Sequence, residues 1–208
     1  MSKKILVPIA PGTEELEAIT IIDIMVRAGF DVVTASAASD GALAMKASRG
    51  VTLTADCKLV DVADDEFDAV VLPGGVGGAE QFRDSPLLIE LVRQQMYEGK
   101  LVAAICAAPA LVLQHHQLYP KAIMTCHPSF QHAIPLALWR VKRVVKDVNH
   151  NLITSQGPGT ALEFAMEIVI HLTDRAHGWA VAEPMITQPT LNYHQELGDG
   201  VHNEGVGG

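Results

Sequence analysis

The chain has 208 residues, of which 49% are hydrophobic and 19% are charged, a composition that suits one large domain with a well-buried core rather than a disordered segment. Its formal net charge of −9 argues against a stable nucleic-acid partner or an anionic membrane, because both are recognised through basic surfaces. The three cysteines include no CxxC pair, and the first apolar run is too short for a signal peptide or a membrane span. We therefore expect a cytoplasmic protein with reduced cysteines and no membrane partner.

The first half of the chain alternates short apolar runs with amphipathic stretches. One helix is expected between Thr13, a typical N-cap, and Gly29, and a second between Ser85-Pro86 and Gly99. This alternation is typical of βαβ crossovers, which build a mostly parallel sheet with helices on both faces. The apolar runs that predict strands are residues 5–10, 30–37, 43–46, 51–54, 67–72 and 101–105.

The second half of the chain is less regular. A long helix is expected to begin at residues 157–160 and to reach Leu172. Residues 195–208 lack apolar periodicity and predict a loose C-terminal tail, so we expect a single domain over residues 1–194. The other predicted elements are strands at 121–126, 141–147 and 152–155 and a short helix at 176–181.

One cysteine lies where a predicted buried strand meets a helix. Cys106 directly follows the apolar run 101–105, and Pro109 fits the first turn of the helix after it. This arrangement is typical of a nucleophile elbow, in which the side chain stands clear of the sheet and helix amides face it. We therefore predict that the pKa of Cys106 lies well below the value of about 8.5 for a free thiol. The alternative is a small buried hydrophobic residue, a common setting for free cysteine.

A glycine-rich loop at residues 73–78 follows another predicted strand. Because ligands bind at the carboxyl ends of parallel strands, this loop is expected to lie beside Cys106. The backbone amides of Gly74 and Gly75, together with that of Ala107, are then candidates for an oxyanion site. The alternative is an ordinary tight turn, and the loop matches neither a Walker motif nor a dinucleotide fingerprint.

Three glutamates near the start of the first predicted helix are candidates for an acid or a base. Negative charge at a helix N-terminus offsets the helix dipole, and this simpler account suits Glu14 and Glu15 best. Glu17 lies deeper on an apolar face, where burial would raise its pKa. Glu15 also shares a face with apolar residues, so periodicity alone does not choose between Glu15 and Glu17.

The remaining cysteines and histidines predict no metal site. The pair His115-His116, and the pair of His127 with His132, lack a carboxylate or thiol at an established ligand spacing. Cys57 and Cys126 are most simply structural or weakly reactive.

Four motifs stand in the order and spacing of a known family. Over roughly residues 3–185 the chain resembles the ThiJ/PfpI (DJ-one-like) superfamily, in its YajL-like branch. The resemblance implies an α/β fold, a flavodoxin-like three-layer sandwich that forms a homodimer. The motifs are Glu14-Glu-Leu-Glu17, Val71-Leu-Pro-Gly-Gly75, Ala103-Ala-Ile-Cys106-Ala-Ala-Pro109 and Thr154-Ser-Gln-Gly-Pro-Gly-Thr160.

The resemblance also implies roles for the site residues. Cys106 would be the reactive thiolate, and Glu17 would be a protonated acid that hydrogen-bonds the sulfur and moves protons. Gly75 and Ala107 would supply the oxyanion amides. His127 matches a histidine found near the cysteine in some members, and a structural role for it is an equal alternative to assistance in catalysis.

The implied activity is that of a glyoxalase or protein deglycase without metal or organic cofactor. Its substrates would be methylglyoxal, glyoxal or their early adducts on protein side chains, and the thiolate would add to a carbonyl before a hydroxy acid is released. The alternative is a redox-responsive chaperone or oxidative-stress sensor that acts through oxidation of Cys106. The sequence does not separate direct attack on adducts from removal of free dicarbonyl.

Overall fold

In the computed structural model of the protein, the structure is described for residues 2–187. Strands and helices alternate through most of this part of the chain, as predicted. The strands are β1 (Lys4–Ile9), β2 (Asp31–Ser36), β3 (Ala44–Lys46), β4 (Thr52–Thr54), β5 (Cys57–Lys58), β6 (Ala69–Leu72), β7 (Leu101–Ile105), β8 (Val144–Asp147) and β9 (Leu152–Ser155).

The α-helices follow the predicted start and stop signals closely. Ser85 caps the third of them with Pro86 in its first turn, and Gly29 and Gly99 adopt positive φ just beyond two helix ends. The α-helices are α1 (Glu15–Arg27), α2 (Val76–Arg83), α3 (Pro86–Tyr97), α4 (Ala161–Leu172) and α5 (Arg175–Ala182). A π-helical turn covers Pro109–Gln114, and 3₁₀ turns cover Leu59–Val62, Pro128–Ala133, Pro158–Thr160 and Glu183–Met185.

Seven strands form one sheet in the order β5-β2-β1-β6-β7-β9-β8. Every neighbouring pair is parallel except β8 and β9, while β3 and β4 form a separate antiparallel hairpin. All residues of β6 and β7 are buried, because helices cover both faces of the sheet. These features confirm the predicted flavodoxin-like α/β sandwich. The strand order reverses at β1, so the carboxyl ends of β1, β6 and β7 border the crevice where ligands bind in such sheets.

The predicted strand at 121–126 is wrong. Met124 forms a single bridge with Trp139, and no longer ladder develops in this segment. Ile123 instead donates its N–H to the carboxylate of Asp147 at 2.8 Å. Side-chain acceptors therefore satisfy backbone groups that a neighbouring strand would otherwise pair.

The N-cap of α1 is Glu14, whereas the sequence predicts Thr13. The Glu14 carboxylate accepts a hydrogen bond from the N–H of Glu17 at 2.8 Å. The hydroxyl of Thr13 is already engaged, because it accepts the N–H of Ala10 at 2.9 Å. The loop before α1 is thereby held against the end of β1.

The glycine-rich loop at 73–78 is shorter than predicted, because α2 begins at Val76. Gly77 and Gly78 are helical, and the lack of a side chain at Gly78 lets α2 approach the loop before α1. A Cβ at Gly78 would lie 2.7 Å from the Cα of Thr13. Gly78 therefore serves packing, and Gly74 and Gly75 remain as the loop proper.

The predicted tail at 195–208 lies outside the described residues, so the single domain over 1–194 stays a prediction. Within residues 2–187, none of the helices combines the length and the hydrophobicity that crossing a membrane requires.

Candidate active site

Cys106 lies in a sharp turn between β7 and the π-helical turn, which confirms the predicted strand-to-helix position. Its φ is +64°, a left-handed conformation that side chains other than glycine rarely adopt. Two backbone hydrogen bonds hold this turn, from Cys106 N–H to Ser155 C=O at 3.0 Å and from His127 N–H to Cys106 C=O at 2.7 Å. Three segments of the chain thus fix one strained cysteine at the carboxyl edge of the sheet.

Of the two candidate glutamates, Glu17 lies next to Cys106 and Glu15 does not. Glu17 is fully buried, and its Oε2 accepts the N–H of Gly74 at 2.7 Å. A Cβ at Gly74 would lie 2.5 Å from Cys106 Cβ and 2.8 Å from Glu17 Oε2, so only glycine fits between the two side chains. The second oxygen, Glu17 Oε1, has no hydrogen-bond partner among residues 2–187. That oxygen is free to carry a proton.

Glu15 faces a different part of the molecule. Its carboxylate accepts the hydroxyl of Ser48 at 2.9 Å and the N–H of Arg49 at 2.8 Å, in the turn between β3 and β4. Burial acts to raise the pKa of Glu15, but these hydrogen bonds outweigh it and hold that pKa below its ordinary value. Glu15 is therefore an ionised structural group.

The titration of Glu17 and Cys106 is coupled. Burial raises the pKa of Glu17 to about 7, against the lowering effect of its hydrogen bonds. Burial and the charge of an ionised Glu17 raise the pKa of Cys106 to about 12, while the amides of Gly75 and Ala107 lower it. The two groups therefore share one proton above about pH 7.

The prediction that the pKa of Cys106 lies well below that of a free thiol is therefore wrong, because burial and the charge of Glu17 raise this pKa. The expected helix dipole is weak here, because the π-helical turn has only 6 residues. A carboxylate next to the sulfur opposes a second negative charge. This repulsion disappears when Glu17 takes up a proton, but burial still raises the pKa of the Cys106 thiol.

The proposed oxyanion amides divide between two tasks. The N–H of Gly75 and that of Ala107 interact with the Cys106 sulfur and favour its charged form. The N–H of Gly74 is already donated to Glu17, so the prediction that it binds an oxyanion is wrong. Gly75 has φ +82°, and a Cβ there would lie 2.3 Å from a backbone oxygen of Gly12. Only glycine can place this amide beside the sulfur.

A cleft of about 590 Å³ opens at Cys106. His127 lines it, and its Nδ1 accepts the N–H of Ser129 at 3.2 Å, which leaves Nε2 as the proton donor of a neutral ring. Sequence reasoning missed Ser48 and Arg49, which also line the cleft. The only sequence signal for them is a short Ser-Arg-Gly turn between two predicted strands.

The other cysteines and the histidine pairs form no site of this kind. Within the described residues, no group of three or more His, Cys, Asp or Glu side chains is placed to hold a metal ion. Cys126 is buried and donates to the carbonyl of His127 at 3.3 Å, and burial raises its pKa to about 12. Cys57 is half-buried on β5, away from the cleft.

Comparisons with known proteins agree with this geometry. The sequence pattern of the DJ-1/PfpI family matches residues 3–171. Protein dj-1beta of Drosophila melanogaster is 43% identical over 188 residues, covering 89% of this chain and 98% of that protein. Glutathione-independent glyoxalase DJR-1.2 of Caenorhabditis elegans is 33% identical over 156 residues, covering 75% of this chain and 81% of that protein. The oxidized Toxoplasma gondii DJ-1 structure has a TM-score of 0.85 and 36% identity, over 89% of this chain and 98% of that one.

Proposed function

Because the chain belongs to the DJ-1/PfpI family, we propose that it is a cofactor-free glyoxalase of the cytoplasm that uses Cys106 as its nucleophile. One observation carries the proposal: Cys106 lies between two backbone amides and beside a buried acid, at a cleft sized for a small molecule. The glyoxalase name of the similar nematode protein supports this reaction class. Cys106 here takes the place of an added thiol.

With methylglyoxal, the reaction begins when the Cys106 sulfur bonds to the aldehyde carbon. The thiol proton passes to Glu17, and the amides of Gly75 and Ala107 turn from the sulfur to the carbonyl oxygen as the carbon–sulfur bond forms. That oxygen is then protonated to a hydroxyl. The pKa of about 7 suits Glu17 to both directions of proton transfer at neutral pH. The product of this step is a hemithioacetal on Cys106.

The second stage is an internal oxidation and reduction. Glu17 removes the hydrogen of the aldehyde carbon as a proton and returns a proton to the neighbouring carbonyl carbon, while the hemithioacetal hydroxyl loses its proton and the neighbouring carbonyl oxygen gains one. The first carbon becomes a thioester and the second an alcohol, so no external oxidant or reductant is needed. Water then hydrolyses the thioester, breaks the carbon–sulfur bond and releases lactate with the thiol restored.

His127 is placed to assist, although Cys106 and Glu17 account for the proton transfers by themselves. Its Nε2 is the free donor of the neutral ring in the same cleft. We propose that it donates a hydrogen bond to substrate oxygens. His127→Gln, which keeps a donor, should therefore retain more activity than His127→Ala.

The activity is tested by incubating purified protein with methylglyoxal without glutathione and measuring lactate. Cys106→Ser and Glu17→Gln should each lose lactate formation by about 10²-fold or more, whereas Cys57→Ser serves as the matched thiol control. Absence of lactate with intact, folded wild-type protein would overturn the proposal.

We extend the proposal to early adducts of methylglyoxal with protein side chains. The cleft is open at Cys106 and lined on one side by a surface turn, so the end of a modified side chain can enter it. The substrate for this test is the adduct of methylglyoxal with N-acetylarginine. Excess aminoguanidine is added to remove free dicarbonyl. Lactate that still forms under these conditions supports direct deglycation, and its loss restricts the enzyme to free dicarbonyl.

A second candidate function is a redox-responsive protective or chaperone role. Two molecules of peroxide would convert the Cys106 thiol to a sulfinic acid and release two molecules of water. The amides of Gly75 and Ala107 and a protonated Glu17 would donate hydrogen bonds to that group. Peroxide-dependent sulfinate at Cys106 and protection of a client protein from aggregation, without lactate formation, would favour this function.

We also propose that the protein forms a homodimer through the outer face of α1. Leu16, Ile19 and Val26 share this face and are 53%, 51% and 57% exposed. Val51, on the neighbouring hairpin, is 50% exposed. Large apolar side chains that are exposed together on one helix face are typical of an interface. Sedimentation should show a dimer that Ile19→Lys weakens, and a monomeric wild type at micromolar concentration would contradict the proposal.

A further inference from the structure

The turn between β3 and β4 brings an arginine to the mouth of the Cys106 cleft. Ser48 and Arg49, in the middle of this turn, both line the cleft. Arg49 carries the one permanent positive charge among the described residues that line it. Its guanidinium has no ion-pair partner within residues 2–187. The positive charge is therefore available to a ligand.

The position of this turn is fixed from α1. The N–H of Ser48 donates to the carbonyl of Thr13 at 2.9 Å, and the Glu15 carboxylate accepts the Ser48 hydroxyl and the N–H of Arg49. Glu15 itself is only 8% exposed. The first turn of α1 therefore has two roles. Glu15 holds the backbone of Arg49, and Glu17 faces the reactive sulfur. Arg49 begins from a fixed backbone rather than from a free loop.

We propose that Arg49 forms an anion-binding subsite and that this cleft prefers 2-oxoaldehydes with a carboxylate at the far end. The inference rests on the proposed function for its reaction, but not for its binding step. A guanidinium matches a carboxylate through two parallel hydrogen bonds, which a neutral chain end cannot make. Glu14 also lines the cleft, and its negative charge turns the anionic end away from itself. The aldehyde then faces Cys106 while the carboxylate meets Arg49.

A suitable probe is 4,5-dioxopentanoate, whose aldehyde and ketone repeat those of methylglyoxal. Its aldehyde carbon bonds to the sulfur and is oxidised, its neighbouring carbonyl is reduced, and water releases 2-hydroxyglutarate. Its methyl ester has the same reacting end without the negative charge. The ratio of kcat/KM for the acid and the ester therefore measures the subsite alone.

Arg49→Gln should lower this ratio about tenfold, mainly through KM of the acid. Arg49→Lys should keep part of the preference, because it keeps the charge but not the planar fork. Arg93→Gln, on α3 and outside the cleft lining, makes the same change of net charge and should leave the ratio unaltered. Glu15→Gln, which changes a positioning residue, should lower the ratio less than Arg49→Gln does.

An alkylation experiment tests the same subsite without any turnover. In a Cys57→Ser background, iodoacetate and iodoacetamide are compared as reagents for Cys106, since they differ mainly in charge. The ratio of their rates should fall about tenfold in Arg49→Gln and stay constant in Arg93→Gln. If wild type makes no hydroxy acid, the proposed function fails while this ratio still tests Arg49. If turnover is normal and neither ratio changes in Arg49→Gln, the anion subsite is overturned.

Discussion

The free energy of unfolding of Glu17→Gln, compared with that of wild type, is expected to be higher in mild alkali than in acid. Glu17 is fully buried, and burial raises its pKa from an ordinary 4.5 to about 7. The folded protein therefore holds a proton that the unfolded chain releases between these two pH values. This contribution to stability is complete below pH 4.5 and is lost as the pH rises to about 7. The loss amounts to about 3 kcal/mol in the free energy of unfolding.

Urea unfolding of wild type and Glu17→Gln at pH 5 and pH 8 measures this quantity. The difference in unfolding free energy between the two proteins should move by about 2.5 kcal/mol in favour of the variant at the higher pH, because a small part of the loss already occurs below pH 5. Glu15→Gln is the matched control with the opposite sign, because hydrogen bonds outweigh burial and lower the pKa of Glu15. Its carboxylate stabilises the fold above the ordinary pKa, so this variant should be the less stable protein at pH 8. A Glu17→Gln difference that is equal at both pH values would refute a buried, proton-holding carboxyl.

Three further predictions concern the site. The kcat/KM for methylglyoxal should rise with pH through about 7, because the pair of Cys106 and Glu17 loses one of its two protons there. Glu17→Gln should remove this rise from the pH profile. Gly75→Ala should lose lactate formation and several kcal/mol of stability, because its Cβ would lie 2.3 Å from a backbone oxygen. The control is Gly50→Ala, at φ +93° with open space around it, which should cost about 1 kcal/mol by urea unfolding. Cys57→Ser should keep lactate formation within about twofold of wild type by the same assay, because this thiol does not line the cleft.

The sequence predicts elements best where one local property decides them. The run 101–105 is apolar throughout and forms β7 with the same bounds, because a parallel strand is buried on both faces. The segment 121–126 has a similar apolar character but forms no strand. Its backbone partners include the carboxylate of Asp147, 24 positions along the chain, and no local pattern contains that information.

The site shows the same division between local and distant causes. The elbow at Cys106 is predictable, since an apolar run, small residues and Pro109 adjoin it in sequence. The role of Gly74 is not predictable from the sequence, because its N–H donates to the carboxylate of Glu17, 57 positions away. Arg49 escapes prediction for a similar reason: its place at the cleft depends on the hydrogen bonds that Glu15 makes to the turn.

The three glutamates of α1 show why a motif does not by itself assign chemistry. Successive residues of a helix point about 100° apart, so neighbouring carboxylates meet different surroundings. Glu14 caps the helix, Glu15 receives hydrogen bonds from three residues of the β3–β4 turn, and Glu17 receives one from Gly74. Burial acts to raise the pKa of both Glu15 and Glu17, but only Glu15 has enough donors to reverse it. The carboxyl with fewer hydrogen bonds is therefore the one that can exchange a proton near neutral pH, and it is the one beside Cys106.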